Sequence, residues 1–266
     1  MKTINFSIKN QIAYLELNRP EKRNALNKEM IQEILKVLKE NMSNRSFKVL
    51  VIHGSENFFC SGADLEWMQQ GIHQNKTQNI HDAKLFNALY HHIYNFPTPV
   101  VCEVQNSAFG GAVGIIACSD IVICEENSRF GFPEVQLGLI PATISPYILK
   151  KMGNSNTRKR LLMPESFSAQ EAQNEGLVHF ISKNGNIREE TIRIAKNISK
   201  GAPDALIQTK ALIQKLEENN EDETTLLYCA RMIASARTSK EGQEGVTAFL
   251  QKRKPEWNNE KNVPTI

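Results

Sequence analysis

Residues 100–125, VVCEVQNSAFGGAVGIIACSDIVICE, constrain the fold of this chain more than any other stretch. VVCEV and DIVICE are rich in β-branched residues and read as short buried strands. Between them lies a turn that runs into the apolar helix FGGAVGIIACS. Strand, turn, helix and strand in this order predict a parallel sheet with crossover helices, which is the α/β class. The Gly110–Gly111 pair permits unusual dihedrals and lets another molecule approach the backbone closely. The amides at the helix start are free to bind, and the helix dipole favours negative charge there.

The rest of the chain fits that rhythm. INFSIKNQIAYLEL alternates around Lys9-Asn10 and predicts a β-hairpin. Asn27 caps a helix that carries Met30, Ile31, Ile34, Leu35 and Leu38 on one side. FKVLVIHG is a buried strand, and after it CSGADL at residues 60–65 forms a second glycine-bearing turn into a helix. The polar residues from about Gly71 to Asp82 read as a surface loop. DAKLFNALYHHIYNF then places Leu85, Phe86, Leu89, Ile93 and Phe96 at helical spacing until Pro97 and Pro99 stop it. FSAQEAQNEGLV ends in a helix-stopping glycine. From about Ile192 onward the pattern is helical and charged, with a unit boundary near Gly201 and a frayed tail from about Pro255. Two regions follow, residues 1–200 and 201–266, with no short repeat.

A chain of 266 residues can bury a full core without disulfides. The five cysteines, Cys60, Cys102, Cys118, Cys124 and Cys229, are odd in number and form no CxxC pair. They read as reduced thiols of a cytosolic protein, and no metal site is expected. The opening MKTINFSIKNQIAYLELN has the pattern of neither a signal nor a transit peptide, and no run is long enough for a bilayer. A net charge of +3 spread over many acids and bases suits a ligand with a few phosphates and is too weak to argue nucleic-acid binding. GxGxxG, Walker, GxSxG and HExxH motifs are absent. Two glycine turns, each leading into a helix, are able to supply two amides to one oxyanion, each worth roughly 3–4 kcal/mol in a transition state.

Taken together, LNRPEKRNALN, FFCSGADLEWM, NSAFGGAVGIIACSDIVICEENSRFGFPEVQLGLIP and FSAQEAQNEGLV resemble, in order and spacing, the enoyl-CoA hydratase/isomerase (crotonase) family over nearly the whole chain. The resemblance implies a spiral of ββα units followed by a C-terminal helical trimerisation region. It implies acyl-CoA thioesters as substrates, CoA being part of the substrate and no separate cofactor or metal being needed. The assembly it implies is a homotrimer or a dimer of trimers. The amides of Ala63 and Gly111 would hold the thioester oxygen, and Glu134 would be the catalytic carboxylate. Lys22, Arg23, Ala25, Ala63, Asp64 and Leu65 would lie along the CoA, with Phe249 and Lys252 approaching it at a subunit boundary. Trp67, Phe109, Gly114, Pro133 and Ala142 would line the acyl pocket.

Hydratases of the family resemble one another in placing a second glutamate on the helix after the glycine turn, where this chain has Gly114. Three readings stay open: an enoyl-CoA isomerase that works with one carboxylate, a hydratase of a special enoyl-CoA, or a non-catalytic acyl-CoA- or RNA-binding protein. SGADLEWMQQ, SAFGGAVG, EVQLGLIPATISPYILKKMG and EGQEGVTAFLQKRKPEW are similar to a bacterial branch of methylglutaconyl-CoA and γ-carboxygeranoyl-CoA hydratases, which also carry glycine there. The residues themselves admit plainer roles. Asp64 and Asp120 suit caps or turns, Trp67, Met68, Phe86 and Phe109 suit a core, and His73, Lys76, His91 and His92 suit solvated faces.

Overall fold

The computed structural model describes residues 1–183, 185–217 and 222–258. Strands β1 (Ile4–Lys9) and β2 (Ile12–Leu17) pair antiparallel across Asn10 and Gln11, both at positive φ, as the alternation predicts. Helix α1 (Lys28–Asn41) starts where the Asn27 side chain accepts the Met30 N–H, and its face of Met30, Ile31, Ile34, Leu35 and Leu38 is buried. Strand β3 (Val49–Gly54) is buried at all six positions, because it is a central strand covered on both faces. Helices α2 (Leu65–Ile72) and α3 (Lys76–Tyr94) follow, then β4 (Val100–Val104), β5 (Ser107–Phe109), α4 (Gly111–Cys118), β6 (Ile121–Glu125) and β7 (Arg129–Gly131). After a short 3₁₀ turn come α5 (Ser145–Leu162), β8 (Phe167–Ser168), α6 (Ala169–Asn174), β9 (Phe180–Ser182) and α7 (Ile187–Ile198). Helices α8 (Pro203–Glu217), α9 (Glu223–Thr238) and α10 (Lys240–Leu250) complete the described fold.

The large sheet has the order β1-β2-β3-β4-β6-β9, parallel from β2 onward. A smaller sheet, β5-β7-β8, is continued by single bridges between Cys60 and Ala108 and between Leu26 and Ala63. Each turn of chain thus gives one strand to the large sheet, one short segment to the small stack, and a helix. This is the expected ββα spiral. One face of the large sheet packs on α1, α3 and α4, while Ile187, Ile194 and Ala195 of α7 cover Val49, Val51, Val101 and Ile123 on the other.

Two sequence expectations fail here. The segment from Gly71 to Asp82 is helical apart from His73–Asn75, because Asn75 and Gln78 form a reciprocal capping box that starts α3 at Lys76, well before its first buried residue, Leu89. Its polarity reflects an exposed helix face. The tail from Pro255 is not frayed at its start: the Lys48 ammonium donates to the Trp257 carbonyl at 2.8 Å, and the Trp257 indole donates to Lys200 O at 3.2 Å. The last eight residues of the 201–266 region, 259–266, lie outside the described residues.

The helical region after residue 200 is tied to the sheet by an ion pair. Lys210 Nζ on α8 lies 2.6 Å from Asp120 Oδ2, and that oxygen also accepts the Val100 N–H at 2.7 Å. Asp120 is therefore the structural residue expected. Burial pulls the Lys210 pKa below the ordinary lysine range, with Asp120 opposing. Asp120→Ala leaves an uncompensated buried ammonium, and should cost roughly 3–5 kcal/mol in urea unfolding. Adding Lys210→Met should recover most of that loss.

Candidate active site

The carboxyl ends of β3 and β4 are where this kind of sheet opens to ligands. The chain leaving β3 passes beside the chain leaving β4: Cys60 bridges Ala108, and Gly62, at φ 102°, lies against the Phe109 carbonyl. A Cβ on Gly62 would stand 2.7 Å from that oxygen, so only glycine lets the two segments approach this closely. Immediately after these contacts come Ala63 and Gly111, both half-buried. Leu26 binds the flanking groups Gly62 O and Asp64 N, leaving the Ala63 N–H between them. Gly111 is the first residue of α4, with no intrahelical acceptor available to its N–H. Neither N–H donates to any of the described residues.

Glu134 lies against the Gly110–Gly111 turn. It opens the 3₁₀ turn Glu134–Leu137 after Pro133, and its Oε1 lies 3.1 Å from where a Cβ on Gly110 would be, with Pro133 Cδ at 3.9 Å. Gly110 itself is at φ 50°. Glu134 Oε2 is buried and has no hydrogen-bond partner among the described residues. Burial raises the carboxyl above the ordinary glutamate pKa. A carboxyl with a buried, unpaired oxygen beside the turn that carries an unpaired amide can exchange a proton with a carbon acid whose charge such amides receive.

Gly114 does not line open space, contrary to the sequence expectation. A Cβ there would lie 2.5 Å from Ile144 Cγ2 and 2.6 Å from Tyr90 Cε1. The Tyr90 hydroxyl donates to Gly111 O at 2.9 Å, and burial raises its pKa well above the usual value, so it stays protonated. The place of a second acid is filled by an aromatic ring. Ala142 is likewise not the inward residue of its turn: it is exposed, and Ile144, two residues later, points into the core.

The loop before α1 packs onto the Ala63 turn. Arg19 Nη1 reaches Asp64 Oδ2 at 2.9 Å and the Ala25 carbonyl at 2.7 Å. Asp64 also caps α2 by accepting the Glu66 and Trp67 amides. Burial would raise its pKa, but Arg19 and those amides outweigh it and hold the carboxyl below the ordinary aspartate range. The Asp64 side chain is thus held by Arg19 and the α2 amides. Lys22 is exposed and bound to Glu66 at 2.6 Å, Arg23 lies over the Phe58 ring, and Leu65 is 78 % exposed. A cavity of about 320 Å³ beside them is lined by Arg19, Asn27, Asp64, Trp67 and Gln74, among others.

Trp67 stacks on Phe86 at 5.2 Å and donates its indole N–H to Asp82. Phe86 Cε1 in turn lies 3.4 Å from a Cβ position on Gly111, so Trp67 stands one ring behind the amide pair. Phe109 is half-buried with its ring against Gly131. The structure therefore brings together Ala63, Phe109, Gly111, Pro133 and Glu134. Phe249 and Lys252 are not among them: they are exposed at the end of α10, which packs beside residues 199–205 and Trp257 at the amino end of the sheet. A larger cavity of about 530 Å³ also opens at that end, between α8 and the sheet, and contains none of the site residues.

Three residues escape a reading of the sequence: Arg19, Tyr90 and Ile144. Tyr90 carries a usable signal, since Phe86 and Tyr90 are four apart on one helix face. Arg19 finds Asp64 across 45 positions, and no local pattern announces such a pair.

A sequence profile described as enoyl-CoA hydratase/isomerase matches residues 7–260. This chain belongs to that family. It is 29 % identical over 258 residues to the 2,3-dehydroadipyl-CoA hydratase of Escherichia coli, covering 97 % of this chain and 99 % of that one. It is 30 % identical over 253 residues to the mevalonyl-coenzyme A hydratase of Aspergillus fumigatus, covering 94 % and 92 %. A crystal structure of an enoyl-CoA hydratase from Shewanella pealeana superimposes with a TM-score of 0.92 at 36 % identity, over 96 % of both chains. The crotonase fold expected from the motifs is thus the fold observed, and the protein is an acyl-CoA enzyme of the enoyl-CoA hydratase type. In this member of the family position 114 is sterically closed. Gly114→Ala should lower stability by about 1–3 kcal/mol through overpacking, measured by denaturant unfolding. Ile144→Val in that background should return part of the loss.

Proposed function

We propose that this enzyme adds water reversibly to a branched enoyl-CoA that carries its own carboxylate, such as 3-methylglutaconyl-CoA or a longer isoprenoid analogue. One observation carries the reading: Glu134, with a buried oxygen unpaired among the described residues, lies against the Gly110–Gly111 turn while Tyr90 and Ile144 occupy the place of a second acid. A hydratase must both activate water and protonate the α-carbon, so a one-carboxyl site gains its missing group most directly from the substrate. The naming of the Escherichia coli relative for 2,3-dehydroadipyl-CoA, the thioester of a dicarboxylic acid, supports this choice of substrate class.

In this mechanism the thioester oxygen sits between the Ala63 and Gly111 amides. Water adds its oxygen to the β-carbon and gives its proton to the substrate carboxylate, while the electron pair of the double bond moves into the enolate. Glu134 then protonates the α-carbon, and solvent exchange resets both carboxyl groups. Lys22 and Arg23 suit the CoA phosphates, and the Ala25 to Leu65 rim suits the pantetheine. Exposed apolar residues on α8 to α10, including Ile213, Leu226, Ile233 and Phe249, support assembly into a homotrimer or a dimer of trimers. There Phe249 and Lys252 would meet the CoA of a neighbouring copy. We place this chemistry in the cytoplasm.

The protonated form of Glu134 is the competent one for hydration. The hydration rate should therefore fall as pH rises through a midpoint above the ordinary glutamate value, because burial raises that pKa. Glu134→Gln should remove this limb and reduce turnover by about 10²–10⁴-fold. The reading itself is tested by mass and NMR analysis of products from 3-methylglutaconyl-CoA, crotonyl-CoA and 3-hexenoyl-CoA. Hydration mainly of the first supports it. A shifted double bond without hydration makes the protein an isomerase, for which one carboxyl suffices, and silence on all three favours a binding role.

A further inference from the structure

The two amides belong to different turns, and what sets their spacing lies outside the site. The parallel ladder between β3 and β4 ends at the His53–Glu103 pair. Just beyond it stands Gln105, which is 7 % exposed. Its Oε1 accepts the Gly54 N–H at 3.3 Å, and its Nε2 donates to Gly54 O at 3.2 Å and to Glu103 Oε1 at 3.0 Å. A side-chain amide thus replaces the backbone pairing where the two strands part. The Gln105 carbonyl meanwhile accepts the Phe59 N–H at 2.9 Å and the Ser107 N–H at 2.7 Å.

One residue therefore grips three points: the end of β3, the start of the segment leading to Ala63, and the start of the segment leading to Gly111. From Phe59 the contacts continue through Cys60 to Ala108 and Gly62 to Phe109, directly before the two donors. The far side of the grip is also held. Arg188 Nη2 on α7 lies 3.3 Å from Glu103 Oε1 and 2.9 Å from His53 Nδ1. Gln105 touches none of the groups assigned to substrate.

We propose that Gln105 is a positioning residue of the enzyme, fixing the spacing of the Ala63 and Gly111 amides through its paired contacts with Gly54 and Phe59. The proposal rests on the reading of those amides as the thioester-oxygen site. A small displacement of either donor weakens its bond to a developing oxyanion more than it weakens binding of the ground-state thioester. Loss of the side-chain grip therefore acts on kcat rather than KM.

The test uses butyryl-CoA labelled with ¹³C at the thioester carbonyl, a saturated ligand, and infrared difference spectra of the wild type, Gln105→Leu and Gln105→Asn. Leu keeps the approximate volume without hydrogen bonds, and Asn keeps the amide but is too short to reach Gly54. In the wild type the carbonyl band of the bound ligand should move to lower frequency than that of the free ligand. Both variants should lose at least about half of that displacement, and kcat for 3-methylglutaconyl-CoA should fall roughly ten- to a hundredfold with KM changed less than about threefold. If Gln105→Leu does not fold, Gln105→Asn decides. A wild-type band that does not move overturns the oxyanion reading and this proposal with it. A wild-type band that moves, with the same displacement and kcat in the variants, overturns the role of Gln105 alone.

Discussion

The close approach of two loop segments at Gly62 and Phe109 is the contact on which the site depends. A Cβ at Gly62 would meet a backbone oxygen, which cannot swing aside as a flexible side chain can. Because that contact is available only to glycine, the turn after β3 is held against the turn after β4. The helix start at Gly111 and the free amide of Ala63 then fall on the same edge of the sheet. Steric demand on the backbone is severe here, while the side chain at position 63 is free to be small and unreactive. The unpaired polar groups at this edge are peptide amides, and their rigidity comes from the sheet beneath.

Around that element the distribution of charge is uneven. Four acidic or basic residues near it are already satisfied: Arg19 with Asp64, and Lys22 with Glu66. Glu134 beside the Gly110–Gly111 turn instead keeps a buried oxygen unpaired among the described residues, and an unpaired buried carboxyl oxygen is costly unless protonated or used. The cysteines show the opposite case. Burial pushes Cys60 to about 12, so a thiol within the Ala63 turn remains an inert packing group. Tyr90 does a third kind of work: its ring closes the volume beside Gly114, and its hydroxyl holds the first carbonyl of α4. Closing that volume is what leaves the site with one acid.

Legibility in the sequence followed the range of the forces involved. The hairpin about Lys9-Asn10, the Asn27 cap and the β4-turn-α4-β6 unit were readable because each is decided by neighbours within a few positions. The segment from Gly71 to Asp82 misled because a solvent-facing helix turn and a loop have similar compositions, and the Asn75–Gln78 capping box that separates them is only two residues. The Arg19 pair of Asp64 has no signal in the sequence. Its partner, Arg19, comes from a loop that reaches it only in the folded chain.

The sequence by itself determined the α/β class, the two glycine turns and the proline-bounded helix before β4, whereas the carboxylate at position 134 was singled out only by the family resemblance. These depend on backbone sterics, hydrogen-bond capping and hydrophobic periodicity, which are local. Only the tertiary structure decided that a Glu134 oxygen is buried and unpaired beside the Gly110–Gly111 turn, that Asp64 pairs with Arg19, and that Tyr90 and Ile144 fill the space at Gly114. Each of these is a matter of volume and proximity between segments distant along the chain. Close packing permits one occupant per site, and which one it is emerges only when the layers are assembled.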